Sequence, residues 1–292
     1  TKIHKKIQGN TMSAQYVLRT KDSKFDYTPK YFQGMKNVMV FVSVDFDKVK
    51  VEDGWSYMKD DDYMNKTIRF IKAQIDNSIE LNWKVEDIIL ATNFEFEYRG
   101  VKSILLEKTC SYSQFFNKEY AILELLERGI VKDTNLWYHD LDAFQLEEFK
   151  FPKFDGDWGT CVYPNYDGHS CQCGVFYIKP TAIDIFKDMV DRMERDEFGT
   201  TNDEIVVRNF IKLNPTYAHR VSVLDTSFNM GNTEYVDRYR LATKPLKVVH
   251  FSADDERQWD MFANGNNDCG VPFINDRLKS IIEKYDLNYK EN

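Results

Sequence analysis

A chain of 292 residues, 42% hydrophobic and 29% charged, can bury a full core and has the balance of a soluble globular protein. The net charge of −8 is uneven: residues 1–37 carry eight Lys or Arg and two Asp, giving +6, so the remainder carries about −14. So acidic a body lacks the basic footprint of sequence-independent nucleic-acid binding, and no apolar run reaches the ~18 residues of a membrane span. No signal peptide is visible, and five irregularly spaced cysteines point to reduced thiols in a cytoplasmic compartment.

Taken in order, residues 1–35 read as a basic N-terminal extension and 36–292 as one domain. Met35 to Phe46 is a continuous apolar run, the pattern of a buried parallel strand. Met64, Ile68, Ile71, Ile75 and Ile79 recur at helical spacing between Tyr63 and Leu81. Strands follow at Asp87–Thr92 and Val101–Leu106, then a helix from Tyr112 to a capping Gly129, then a strand at Leu136–Tyr138. The second half opens with a loop at Phe149–Asp157 and strands at Cys161–Tyr163 and Gly174–Ile178. Cys171 and Cys173 read as small side chains of such a strand rather than a metal pair. A helix capped by Thr181 runs to Arg195, and another opens at Thr201–Glu204. Strands at Ser222–Leu224 and Leu246–His250 and a helix from Asn275 to Tyr285 complete the chain. Strands alternating with helices predict an α/β fold with a mixed, mainly parallel sheet flanked by helices.

Asp140 and Asp142 stand two residues apart just after the strand Leu136–Tyr138. In open α/β sheets ligands bind beyond the carboxyl ends of strands. Two carboxylates so placed suit a hard divalent cation, Mn²⁺ or Mg²⁺, and in an extended segment they would share one face. The bland alternative is a pair of solvated acids. His250 ends its own apolar strand about 110 residues later and offers a third ligand, a structural histidine being the alternative.

These motifs resemble the nucleotide-diphosphosugar glycosyltransferases of the GT-A, Rossmann-like fold. The resemblance rests on VMVFVSVDF, NKEYAILELLERGIVKDTNLWYHDLDAF, CGVFYIKP and VVHF, scattered over residues 36–262. It implies a donor half at about 36–145 and an acceptor half at about 146–292. It implies that Asp140, Asp142 and His250 hold the metal that bridges the donor diphosphate. The chain is most similar to the glycogenin-like group, which favours retention of configuration. There the late His is followed by Gly and by Lys-Pro-Trp; here Ala253 and, with one extra residue, Arg257-Gln258-Trp259 stand in their places. Arg257 is then the cation expected near the diphosphate. Lys118 occupies the position of a donor-contacting lysine, an exposed helix charge being the alternative. Asp203, and after it Glu204, are the expected carboxylates at the transferring sugar, unless they only complement a helix N-terminus. Ser43 and Asp45 are placed by the strand-end rule and the fold resemblance to touch the donor base and ribose.

The resulting expectation is a metal-dependent hexosyl- or pentosyltransferase that takes a nucleotide-diphosphate sugar, a UDP-sugar first. The acceptor is a glycan or protein hydroxyl, with a modified nucleic-acid base less favoured. Trp158, Tyr163, Tyr166 and Asp167–His169 are candidates to border the acceptor. Gln172 stands where the family has Asn. The competing readings are a metal-dependent phosphohydrolase or nucleotidyltransferase, although SVDFDKVKVED has no Gly-rich phosphate loop, and a non-catalytic sugar-nucleotide-binding protein. The oligomeric state is left open.

Overall fold

The first apolar run becomes β1 (Met35–Phe41), with Val38 and Met39 wholly inaccessible. The computed structural model describes residues 35–45, 62–162, 171–231 and 236–291, which fall within the unit Tyr31–Asn292; Phe46 and the basic extension before Met35 lie outside the described residues. Helix α1 (Tyr63–Glu80) matches expectation to within a residue at its end. β2 (Ile88–Thr92) is followed by a short β3 (Glu97–Tyr98), absent from the expected elements, and β4 (Val101–Leu105). Arg99 and Gly100, at φ 50° and 83°, form the two-residue turn between β3 and β4 that a tight hairpin requires. Helix α2 (Asn117–Glu127) starts later than Tyr112, because Asn117 Oδ1 accepts from Cys110 N (2.8 Å) and ties the preceding segment into a loop. It closes as expected at Gly129, φ 68°, with Ile130 N donating to Leu125 O (3.1 Å).

β5 (Asn135–His139), β6 (Ala143–Gln145), β7 (Trp158–Val162) and β8 (Cys171–Ile178) follow. Then come α3 (Ile183–Glu194), α4 (Asp203–Leu213), α5 (Pro215–Ala218), β9 (Val221–Val223), β10 (Met230–Gly231) and α6 (Val236–Leu241). The chain continues through β11 (Val248–His250), α7 (Glu256–Trp259) and α8 (Asp276–Lys284). Two expected caps resolve differently. Thr181 does not cap α3; its hydroxyl donates to Asp157, and the helix begins after a Pro180–Ala182 turn with Ala182 as N-cap. Asn202 caps α4, its Oδ1 accepting from Ile205 N (3.1 Å).

The main sheet has the order β3-β4-β2-β1-β5-β8-β7-β9. β4, β2, β1 and β5 are parallel, as are β7 and β9, while β3 and β8 run antiparallel to their neighbours. This is the mixed, mainly parallel sheet that the alternation predicts. A second sheet, not foreseen, sets β11 parallel to β10 and antiparallel to β6. One core packs α2, α3 and α4 on one face of the main sheet, a second packs α1 on the other, and a third lies under the small sheet against α8. Trp158 is fully buried edge-on to Phe176 at 4.9 Å, so it is a core residue and not an acceptor contact. Tyr163, Tyr166 and Asp167–His169 lie outside the described residues. Among the described residues no helix is long and apolar enough to cross a membrane.

Candidate metal and donor site

β1, β2 and β5 run parallel, and their carboxyl ends meet at one edge of the sheet. Asp140 follows β5 there, its amide donating to Gly174 O of β8 (2.7 Å). The segment that follows is not extended. Ala143 N donates to Asp140 O (3.1 Å), closing a turn with Leu141 and Asp142 at its corners. This corrects the picture of two carboxylates sharing the face of a strand. A turn brings them together instead, because each carbonyl finds a partner off the sheet.

The small sheet delivers the third group. β6 leaves the turn and pairs antiparallel with β11, setting His250 opposite Ala143, and Phe251 N donates to Asp142 O (3.2 Å). Ligand atoms of Asp140, Asp142 and His250 consequently lie within 4.8 Å of one another, with His250 Nε2 3.1 Å from Asp142 Oδ1. The ring needs the missing side chain at Gly174: a Cβ there would fall 2.1 Å from His250 Cε1 and 3.1 Å from Asp140 Oδ2. Two carboxylates and an imidazole half-open to solvent form a donor set suited to a divalent cation, and the glycine leaves the room that the set requires.

Lys118 is buried at 7% exposure, so it is not a surface helix charge. Its Nζ lies 2.6 Å from Asp203 Oδ2 and 3.3 Å from Asp140 Oδ1, and donates to Cys173 O (3.1 Å). Burial opposes the ammonium, but Asp140 and Asp203 overcome it and raise its pKa well above the usual lysine range. Burial would likewise lower the His250 pKa; the Asp142 carboxylate reverses this and holds it at about 9. Lys118 thus pairs with Asp140, and the His250 ring with Asp142. Tyr138 adds a hydroxyl donated to Asp140 Oδ1. Glu119, next to Lys118, is fully buried, and burial lifts its carboxyl well above the usual range.

The other expected residues differ in their settings. Asp203 is the first residue of α4, 7% exposed and turned onto Lys118, while Glu204 is half-buried beside it. Ser43 follows β1 on the same sheet edge, its amide and carbonyl bound by the Asn93 side chain (2.8 and 2.7 Å), and Asp45 is exposed two residues on. Arg257 is exposed on α7, beyond β11. Gln172 is buried in β8 and accepts from the fully buried Arg238, which gives it a structural role. Three residues next to the acids were not foreseen: Gly174, Tyr138 and Tyr63, the last pushed up to about 12 by burial with Asp142 and Asp140 adding to it. The apolar pattern of α1 hides Tyr63, whereas Gly174 stands alone inside a fully buried strand and was legible as a point of close approach.

No model of a known protein family matches the chain, and no curated protein matches it. Solved structures that it is similar to include glycosyltransferases. One is involved in the glycosylation of the major capsid of PBCV-1, at 12% identity over 74% of this chain and 93% of that chain, with a TM-score of 0.45. Another is GlyE of Streptococcus pneumoniae TIGR4, at 13% identity over 88% of this chain and 66% of that chain, with a TM-score of 0.49. A third is the galactosyltransferase LgtC in complex with donor and acceptor sugar analogues, at 12% identity over 87% of this chain and 97% of that chain, with a TM-score of 0.46.

Proposed function

We propose that the chain is a metal-dependent glycosyltransferase that moves a sugar from a nucleotide-diphosphate donor, a UDP-sugar first, to an acceptor hydroxyl. The observation that carries this reading is the convergence of Asp140, Asp142 and His250 at the carboxyl edge of a parallel sheet. Those three residues would hold Mn²⁺ or Mg²⁺, which when bound neutralises charge on the diphosphate as it leaves. The chain's own groups do the rest. Lys118, fixed between Asp140 and Asp203, keeps a positive charge beside the leaving group, and Arg257 is a second candidate cation. Asp203, and after it Glu204, contact the transferring sugar. Ser43 and Asp45 take the base and ribose at the edge shared by β1 and β2. A glycan or protein hydroxyl is the acceptor, and the free cysteines accord with a cytoplasmic setting.

Calorimetric binding of UDP with and without Mn²⁺, on the wild type and on Asp142→Asn, tests the reading. Manganese-dependent binding that the substitution abolishes is expected. Failure of UDP, GDP and other nucleoside diphosphates to bind would sink it, and consumption of a nucleoside triphosphate without any sugar donor would replace it with nucleotidyl transfer.

A further inference from the structure

Helix α1 packs five polar side chains into the interior: Thr67, Gln74, Asp76, Asn77 and Ser78, none more than 5% exposed. An amide or hydroxyl buried without a partner is destabilising, so each must be answered by a hydrogen bond. For the Gln74 side the answers converge on the backbone that carries the two acids. Gln74 Nε2 donates to Leu141 O (2.8 Å) and to Ala143 O (3.0 Å), and Asn77 Nδ2 to Gln145 O (3.0 Å). Ser78 Oγ bonds Gln74 O (2.8 Å) and Asn37 (2.9 Å). Asn37 meets the buried His139 ring (2.8 Å), whose other nitrogen lies 2.9 Å from Asp140 O. Asp142 O is held by Phe251 N. Every carbonyl from Asp140 to Ala143 is thus bound by a fixed protein group, where a surface turn would leave such carbonyls to solvent.

We propose that this buried network, with Gln74 at its centre, is a positioning device that sets metal affinity by locking the Asp140–Ala143 turn. The proposal rests on the metal reading above. The two carboxylates flank Leu141, so rotating its peptide plane moves both. Gln74 restrains that plane and the Ala143 carbonyl at once, from a helix that contributes no ligand. Removing the amide frees the turn to relax away from the 4.8 Å cluster without deleting any ligand.

The test is a titration of the full chain with Mn²⁺ alone, read by the paramagnetic resonance of the free ion, below the melting temperature of every variant. Gln74→Met keeps the side-chain length and should weaken Mn²⁺ about 10–100-fold, the usual cost of losing an outer-shell partner. Ser78→Ala, which loses the bonds to Gln74 O and Asn37 behind the turn, should weaken it about threefold. Asp76→Asn lowers stability on another face of the same helix and should leave the dissociation constant unchanged. A folded Gln74→Met that binds Mn²⁺ as the wild type does would overturn the proposal, as would an Asp76→Asn effect as large as that of Gln74→Met. Should Gln74→Met fail to fold, an unchanged constant in Ser78→Ala overturns it equally. Asp142→Asn separates the two ideas: binding lost there but intact in Gln74→Met refutes only the positioning role, while wild-type binding in Asp142→Asn removes the metal site itself.

Discussion

Asp76 and Asp142 are both acids within the folded body, and the fold treats them in opposite ways. Asp76, 1% exposed, is saturated: Arg99 Nη1 (2.8 Å) and the Tyr98 hydroxyl (3.4 Å) reach one oxygen, and Lys284 Nζ and the Tyr285 hydroxyl (both 2.6 Å) reach the other. Burial alone would raise its pKa, but these donors bring it below the usual carboxylate range. The result joins α1, the β3–β4 hairpin and α8, and leaves the carboxylate no capacity for a ligand. Asp142 meets His250 through one oxygen and remains 36% exposed, beside a second acid held by a lysine. A buried acid with every lone pair answered fastens the structure. An acid left half-open beside another acid and an imidazole retains lone pairs for a further partner.

Substitutions should separate the two clusters, and the largest contrast lies in catalysis. Asp142→Asn is expected to lower transfer on the order of 10³-fold, from several kcal/mol of lost charge stabilisation, with little change in melting temperature; steady-state kinetics and a thermal melt on one preparation check both. Lys118→Met should cost about 10²-fold, because Asp140 and Asp203 then face each other without the ammonium, and it should also destabilise the metal-free protein. Gly174→Ala pushes a methyl into the His250 ring and should weaken Mn²⁺ binding about tenfold or more while the main sheet stays intact, read by titration and circular dichroism. Asp76→Asn inverts the pattern, losing roughly 2 kcal/mol of stability in denaturant unfolding with turnover unchanged.

The smallest effect is in pH. The folded pKa of Asp76 is depressed, so its contribution is complete above the unfolded value near ~3.9 and is lost as pH falls through the lower folded value. The stability gap between wild type and Asp76→Asn should narrow below about pH 4 and stay constant above it. A gap that instead widens in acid would mean the network is not held by the ionised carboxylate.

Much of the scaffold was legible. The apolar runs of β1, β2 and β5 locate buried parallel strands, and the acids after Tyr138 locate the sheet edge, because a strand's identity and its end are written in consecutive residues. The α1 pattern was legible by half. Ile71 and Ile75 are buried as their spacing requires, but Gln74, Asn77 and Ser78 are buried too, on a face that reads as polar. The partner of that face, the turn at Leu141–Ala143, lies 67 residues away for its nearest contact.

The α/β class, the principal strands and helices, and the residue types at the site can be read from consecutive residues, since periodicity and residue chemistry are local properties. That the Asp140–Asp142 segment is a turn, that Lys118 is buried between two acids, and that β11 lays His250 against Ala143 are outcomes of long-range packing. Strand pairing and the meeting of a helix face with a distant loop depend on which surfaces can be buried together, and that selection is made by the whole core rather than by any stretch of chain.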